Sequence, residues 1–372
     1  MLAMAASACK IYYTNREVMS DPLLTIGALT DHYFTPSSRF RVRQLVLPLQ
    51  SRRISLIDFP RKYSTQNLHN FRPHLRIRES VLKLGYAAVQ EIANFVQTAA
   101  RLYSVSDFDY TLVSREVLIG YPSFERFISN KLIYDLDDAV FLTSAVNARK
   151  TRRLIEAASV VFAGNDYLAS WCRNYSPNVH VLPTAVDTNR FLPNPERSSS
   201  VFVVGWSGTS SAFKYLASIE DQLLHFFETH DDAVFMVCSD RYPAQLTKLA
   251  KYLRFELWSE RDEVRQIQKF SVGIMPTASD DWALGKCSYK MLLYLSCGVP
   301  CCVTEWGMNI DVLARGRVGV GVGDANEWCD ALEFMYKSHL ELDALFPDCR
   351  AVVESHYSVS VITDRFANVV EQ

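Results

Sequence analysis

The sequence predicts an α/β protein made of two parallel-sheet domains that face each other across a cleft. Three observations lead to this prediction. The chain has 372 residues, more than a single hydrophobic core usually accommodates. Short apolar runs alternate with segments of helical periodicity, which is typical of parallel sheets covered by helices on both faces. Between the two halves, residues 188–200 have the Asn-, Pro-, Arg- and Ser-rich composition of a linker, and the alternation restarts after them.

The N-terminal half opens with a strand, a loop, a helix and a second strand. Residues 23–29 are an apolar run, the polar loop 30–38 follows, and a helix is expected from Arg39. A long helix is predicted over residues 79–103, where apolar residues recur at spacings of three and four. Apolar runs predict the remaining strands at residues 54–59, 110–114, 132–134, 160–163 and 180–182.

The C-terminal half repeats this alternation. Its apolar runs predict strands at residues 201–204, 233–238, 255–257, 272–275, 301–304 and 318–322. Helical periodicity between them predicts helices at residues 213–229, 244–252, 263–270 and 289–297. The predicted organisation is therefore an extension at 1–22, a first domain at 23–187, a linker at 188–200, a second domain at 201–356 and a C-terminal helix at 357–372 that packs back on the first domain.

Composition and charge exclude several classes of protein. Apolar residues make up 49% of the chain and charged residues 22%, which excludes a disordered scaffold. The 39 basic and 41 acidic residues give a net charge of −2, so binding of nucleic acid across the whole surface is not expected. No run of about 18 apolar residues predicts a membrane-spanning helix. Residues 1–8 make a poor secretory signal, and the nine cysteines include no C-x-x-C pair, so we expect reduced thiols, a cytoplasmic location and no zinc.

Basic residues are concentrated between residues 39 and 83. This segment contains eleven Lys and Arg residues against two acidic ones, with apolar residues interleaved. The pattern indicates docking to anionic lipid head groups or binding of an anionic acceptor. The alternative is a solvated helix face, which is the commoner role of a charged run.

A glycine-containing turn follows the first predicted strand of the second domain. Residues 205–210 have the sequence Gly-Trp-Ser-Gly-Thr-Ser and precede a predicted helix. Small residues let a ligand approach the backbone, and a helix start offers unpaired N–H groups that favour a phosphate. Lys214 follows one turn later and is close enough to reach the same anion. The alternative is a tight turn capped by Ser and Thr.

Two lysines bracket a second predicted helix start. Lys286 and Lys290 lie in the segment 281–290, which leads into the helix at 289–297 and then into Gly298-Val299-Pro300. Two ammonium groups together with backbone donors can stabilise a departing diphosphate without a metal ion. The alternative for either lysine alone is a solvated surface residue. Two anion-binding helix starts in one domain are less expected by chance.

These motifs form an ordered series that resembles family 4 glycosyltransferases of the GT-B fold, which consists of two Rossmann-like domains facing across a cleft. The C-terminal series comprises 271–276 (SVGIMP), 285–290 (GKCSYK), 297–300 (CGVP), 307–309 (GMN), Gly316, 327–328 (EW) and 353–358 (VESHYS). In the N-terminal half, one branch of the family is similar at 36–41 (PSSRFR), Arg115-Glu116, Glu125 and 134–139 (YDLDDA). The lysine pair corresponds to a Gly-Lys-x-x-x-Lys variant of the family's donor motif.

The resemblance implies a metal-independent, retaining transferase with an acceptor-side first domain and a donor-side second domain. It implies no cofactor beyond a nucleotide diphosphate sugar, and a glycan or a lipid-linked hydroxyl as acceptor. The sequence departs from the family at Gly285 and Leu293, where many members carry glutamates, the second of which binds the nucleotide ribose. The histidine of many members is also replaced, within residues 134–138.

The expected site residues fall into four groups. The catalytic cations are Lys214, Lys286 and Lys290, and the expected diphosphate ligands are Gly205, Ser207, Gly208, Thr209, Ser288 and Tyr289. Sugar or nucleotide contacts are expected at Gly307 and Asn309. The acceptor-side candidates are Ser38, Arg39, Arg115, Glu116, Asp137 and Asp138.

Three alternatives stay open at the level of sequence. Asp135 and Asp137 match the D-x-D motif of metal-dependent GT-A transferases, in which carboxylates hold a divalent cation. The same acidic run can cap the following helix. Because both glutamates are missing, a degenerate GT-B protein that binds a nucleotide sugar or a partner enzyme without catalysis is the remaining hypothesis.

Overall fold

The computed structural model describes residues 21–33, 35–61, 78–115, 128, 130–194 and 201–372. The chain divides into two compact units, each with its own sheet. The first unit runs to Leu182 and includes Thr363–Gln372, and the second comprises Pro183–Ile362. No helix among the described residues is both long enough and apolar enough to cross a membrane.

The first unit is built on a parallel sheet of six strands. The strands are β1 (Leu24–Leu29), β2 (Ile54–Asp58), β3 (Tyr110–Ser114), β4 (Lys131–Leu136), β5 (Val160–Ala163) and β6 (Val179–Val181). They are arranged in the order β2-β1-β3-β4-β5-β6. The helices are α1 (Val46–Gln50), α2 (Arg78–Val105), α3 (Ala145–Ala157) and α4 (Asp166–Cys172), and a π-helical turn spans Ser38–Val42.

The second unit also contains a parallel sheet of six strands. The strands are β7 (Phe202–Ser207), β8 (Ala233–Ser239), β9 (Leu253–Leu257), β10 (Val272–Met275), β11 (Cys301–Thr304) and β12 (Gly319–Val322), in the order β12-β11-β10-β7-β8-β9. The helices are α5 (Phe213–Ala217), α6 (Glu220–Thr229), α7 (Glu263–Ile267), α8 (Asp281–Leu284), α9 (Tyr289–Ser296), α10 (Met308–Leu313), α11 (Trp328–Lys337), α12 (Leu342–Leu345) and α13 (Cys349–His356). The last helix, α14, spans Val359–Val370.

Successive residues of the central strands point to opposite faces of the second sheet. Val203 belongs to a core with Phe270 and α9, whereas Val204 belongs to a second core with Phe235 and α6. Both faces are therefore covered, which explains why the strands are continuous apolar runs. The strand order reverses between β7 and β10, and ligands of such sheets bind outside the carboxyl ends of the strands at that point.

The predicted α/β fold with two parallel sheets is confirmed, and every predicted strand is present within a few residues. Two helix predictions are wrong. Residues 244–252 form consecutive turns, because the Lys248 amide donates to the Glu220 carboxylate at 3.0 Å and not to a backbone carbonyl one helical turn earlier. The predicted helix 213–229 is two helices, α5 and α6, separated at Ser218 and Ile219.

Candidate functional site

The carboxyl end of β7 is the centre of the candidate site in the second unit. Gly208 follows this strand, and the stem of Lys290 lies directly against it. A Cβ atom at Gly208 would lie 2.6 Å from Lys290 Cε and 2.9 Å from the Trp206 ring. The Lys290 Nζ lies 5.9 Å from the centre of that ring. The absence of a side chain at Gly208 thus lets a cation reach the sheet edge at the point where the strand order reverses.

The backbone donors of the turn are largely used within the protein. The Ser207 amide donates to the Tyr294 hydroxyl at 2.9 Å, and the Gly208 amide donates to the Cys238 carbonyl at 3.1 Å. The Ser210 amide donates to Asp240 at 2.6 Å. The expectation of a row of unpaired amides is therefore wrong for these three, because a strand neighbour and two side chains already bind them.

The carboxylate of Asp240 places a negative charge of the protein itself at this turn. It accepts hydrogen bonds from the Ser210 amide, the Ser210 hydroxyl at 2.8 Å and the Ser239 hydroxyl at 3.1 Å. Partial burial raises the pKa of Asp240, but the hydrogen bonds from Ser210 and Ser239 outweigh it and hold the pKa below its ordinary value. The residue is therefore charged at neutral pH.

The other predicted members of the turn have separate roles in the structure. Gly205 lies inside β7, where a Cβ atom would lie 2.0 Å from the Phe270 ring, so it provides space for the core. The Thr209 hydroxyl lies 2.8 Å from the Ser211 hydroxyl. Lys214 lies on α5 with its Nζ 4.9 Å from the centre of the Tyr215 ring.

The start of α9 is joined to the carboxyl end of β11 by buried hydrogen bonds. The Ser288 hydroxyl donates to Asn309 Oδ1 at 2.7 Å, and Asn309 Nδ2 donates to the Thr304 carbonyl at 2.8 Å. Ser288 adopts a left-handed conformation with φ of 49°, which a serine rarely adopts. Ser288 and Asn309, predicted from separate motifs, therefore lie in one buried network.

The segment between β10 and α9 borders the same edge. Gly307 has a φ of 57°, and a Cβ atom there would lie 3.3 Å from Leu284 Cα. The Trp306 indole donates to the Asp280 carbonyl at 3.0 Å, which fastens this segment to the end of β11. Lys286 lies with its Nζ 4.7 Å from the centre of the Trp282 ring. Tyr289 packs against the core on the α9 face of the sheet.

Four residues of this edge were not anticipated from the sequence: Trp206, Asp240, Tyr294 and Trp306. The spacing of four residues between Lys290 and Tyr294 on a predicted helix is the one signal that places their side chains on the same face. Nothing in the sequence links Asp240 to Ser210, because thirty positions separate them.

In the first unit, the acceptor-side candidates form a network of arginines and aspartates at the ends of β3 and β4. The Arg115 guanidinium donates to Asp137 at 2.5 and 3.0 Å and to Asp138 at 2.5 Å. Arg115 has a φ of 64°, and its amide donates to the Asp135 carbonyl at 3.0 Å. Arg115, Asp137 and Asp138 are thus brought together in one ion-pair network.

Asp135 is separate from that group and lies inside β4, so its predicted position after the strand is wrong. Its carboxylate forms a buried ion pair with Arg41, whose Nη1 also donates to the Leu182 carbonyl at 2.6 Å. Ser38 is buried in the π-helical turn, and the Arg39 guanidinium lies 4.0 Å from the centre of the Phe40 ring. Glu116 lies outside the described residues.

The carboxylates of the proposed D-x-D pair bind different arginines, Arg41 and Arg115. Among the residues that the structure describes, no cluster of three or more His, Cys, Asp or Glu side chains is arranged to hold a metal ion.

No family model and no curated protein matches the sequence. HepE of Anabaena in complex with UDP-glucose is similar in structure, with a TM-score of 0.68 and 14% identity, over 94% of this chain and 99% of that one. Sucrose-phosphate synthase from Thermosynechococcus elongatus has a TM-score of 0.66 and 12% identity, over 94% and 98%. The lipopolysaccharide outer core galactosyltransferase WaaB has a TM-score of 0.57 and 12% identity, over 94% and 99%.

The fold is GT-B. This result contradicts the GT-A alternative, which leaves the second parallel-sheet unit unexplained.

Proposed function

We propose that this protein is a glycosyltransferase that moves a sugar from a nucleotide diphosphate sugar to a hydroxyl of a glycan or a lipid-linked acceptor. Membership of family 4, retention of configuration and independence of metal ions are parts of the proposal. The observation that carries it is the contact of Lys290 with Gly208, because it brings a cation to the ligand-binding edge of a GT-B sheet. Structurally similar HepE has UDP-glucose in its complex.

The proposed chemistry follows from the charge that develops during transfer. Cleavage of the bond between sugar and phosphate leaves additional negative charge on the diphosphate. Lys290, Lys286 and Lys214 would stabilise that charge as it forms, which lowers the barrier more than binding the substrate alone. The acceptor proton would leave to a donor phosphate oxygen. No cofactor other than the donor is needed in this scheme.

A transfer assay with purified protein tests the proposal. UDP-, GDP- and dTDP-sugars are supplied with and without a hydroxyl acceptor, and release of the nucleoside diphosphate is measured. We expect Lys290→Ala and Lys214→Ala to lower turnover by roughly a hundredfold or more while the fold is retained. Lys251→Ala is the control, because Lys251 also lies over an aromatic ring but just before β9, at the amino end of a strand and not at the carboxyl end. Near-normal turnover in both variants would contradict the phosphate assignment.

Metal independence and catalysis are tested separately. Turnover that survives EDTA supports a metal-independent reaction. Binding of a nucleotide sugar with neither transfer nor hydrolysis would favour the alternative, a degenerate GT-B protein. That alternative is motivated by Gly285 and Leu293, which stand where many family members carry glutamates. The anomeric configuration of the product, determined by NMR, tests retention.

We also propose peripheral binding to an anionic membrane on the cytoplasmic side, where a lipid-linked acceptor is accessible. The basic composition of segment 39–83 supports this proposal, although Arg41 is buried on Asp135 and residues 62–77 lie outside the described residues. Ile92, Phe95 and Val96, which expose more than half of their surface on helix α2, support it as well. Co-sedimentation with vesicles tests it. We expect binding to vesicles that contain anionic lipid and release by salt, and equal binding to neutral vesicles would contradict the electrostatic contribution.

A further inference from the structure

The second sheet has the strand order of a dinucleotide-binding Rossmann domain. Counted along the chain from β7, its order is 3-2-1-4-5-6. In that topology a glycine turn follows the first strand, and an acidic residue near the end of the second strand binds the ribose hydroxyls. Here Gly208 follows β7, and Asp240 directly follows β8. Asp240 thus occupies the position of a ribose-binding acid.

The Asp240 carboxylate is fixed in place and still accessible. Three donors hold it, namely the Ser210 amide, the Ser210 hydroxyl and the Ser239 hydroxyl. The Arg241 guanidinium approaches Oδ2 only to 3.5 Å. The Asp240 side chain exposes 46% of its surface. Because an ionised carboxylate has about four acceptor positions and the three donors occupy three of them, it can accept one further hydrogen bond from a ligand.

Charge determines which part of a nucleotide fits each strand end. The Asp240 carboxylate, which is bound to the Ser210 amide, repels a diphosphate from that amide. The same carboxylate can still accept a hydrogen bond from a neutral hydroxyl group. Lys290 provides the opposite charge at the end of β7. β7 and β8 pair directly, and paired strands lie about 4.8 Å apart. This separation is comparable to the distance between a ribose and its phosphates.

We propose that Asp240 binds the ribose 2′-hydroxyl of the donor nucleotide and makes the site selective for ribonucleotides. The inference depends on the proposed function, since it requires a nucleotide at this edge. It also assigns a carboxylate to the role left empty at Leu293, which is buried in the core with 6% of its surface exposed.

Isothermal titration calorimetry with UDP and GDP and with their 2′-deoxy forms tests the proposal. The variants are Asp240→Asn, which removes the charge but keeps an oxygen acceptor for Ser210, and Lys290→Ala. We expect the wild-type protein to bind the ribonucleotide about tenfold more tightly than the 2′-deoxy form. D240N should lose most of that ratio, whereas K290A should weaken both ligands and keep the ratio. Asp231→Asn at the other end of β8 is the matched control and should behave as wild type.

The outcomes separate the two proposals. If the wild-type protein binds none of these nucleotides, the proposed function is contradicted. If it binds them without preferring ribose, or if D240N keeps the preference, the assignment of Asp240 is wrong and the proposed function stands. Ser210→Ala, which keeps the carboxylate, tests for an effect of loop structure. An equal loss of the ratio in D240N and S210A would overturn the proposal.

Discussion

At the edge of the second sheet, the packing of neighbouring side chains requires that residue 208 has no side chain. Gly208 is surrounded by the Lys290 stem and the Trp206 ring, and its φ is not in the left-handed region. The constraint at this position is therefore space and not backbone conformation. A glycine in a turn is usually explained by its backbone, so the structure changes the interpretation of this residue.

We predict that Gly208→Ala lowers kcat/KM about tenfold or more and also destabilises the fold by roughly 1–3 kcal/mol, because the Cβ atom overlaps the Trp206 ring. The new Cβ atom would displace Lys290, whose flexible stem can move, whereas the buried Trp206 ring cannot. Steady-state kinetics and thermal unfolding measure the two effects. Gly323→Ala is the control, since a Cβ atom there meets only the Glu327 carboxylate, at 3.5 Å. Unchanged kinetics in G208A would mean that the position of Lys290 over Gly208 is irrelevant to turnover.

A second prediction concerns Asp58 at the end of β2. Burial raises the pKa of Asp58 to about 6, although a hydrogen bond from Thr30 and the charges of Arg43 and Arg101 lower it. The folded state therefore holds this proton more tightly than the unfolded state, so stability falls as pH rises from about 4 to about 6. Asp58→Asn cannot ionise and avoids that loss.

Urea unfolding at about pH 4 and about pH 7 measures this effect. We expect the stability of D58N relative to wild type to increase by at most about 3 kcal/mol between the two conditions. Asp107→Asn, at an exposed acid of the same unit, should show no such increase. A constant difference between D58N and wild type across this range would contradict the raised pKa.

At the scale of elements, the Arg41–Asp135 pair joins the π-helical turn Ser38–Val42 to β4. Both side chains are almost fully buried, so removing one partner leaves an unpaired charge in the core. We predict that Arg41→Met costs about 3–5 kcal/mol of unfolding free energy, measured by urea denaturation. The double variant R41M/D135L should be more stable than R41M. Arg152→Ala, from an exposed ion pair, should cost less than about 1 kcal/mol. Equal stabilities of R41M and R152A would refute the prediction.

The secondary-structure elements also show which features of the fold could be predicted from the sequence. The central strands of the second sheet were predictable, because both faces of that sheet are buried and these strands are apolar runs. The absence of a helix at residues 244–252 was not predictable. The apolar spacing there is helical, but the Lys248 amide donates to the Glu220 carboxylate and not to a backbone carbonyl of a helix. Lys290 and Gly208 were predictable as separate motifs. Their contact was not, because it joins residues that are distant in the chain, as the pairing of Ser210 with Asp240 does.

At the scale of the whole molecule, the end of the chain belongs to the first unit. Phe366 stacks on Phe162 of β5 with ring centres 4.9 Å apart, and both rings are buried. Arg52 donates to Asp364 at 3.0 Å, to Asn368 at 2.9 Å and to Glu371 at 2.8 Å. The polar contacts are exposed and contribute little. The stability that this segment gives to the first unit therefore comes mainly from the Phe366 ring.

This argument predicts that Phe366→Ala destabilises the first unit by about 3–5 kcal/mol, the usual cost of truncating a buried aromatic side chain. Hydrogen exchange followed by mass spectrometry separates the units. Amides of β4 and β5 should exchange faster in F366A, whereas those of β7 and β8 should be unchanged. Arg52→Ala, which removes only the exposed contacts, should leave both sets nearly as in wild type. Equal acceleration in both sheets would show that the two units unfold together, and it would contradict the assignment of Thr363–Gln372 to one of them.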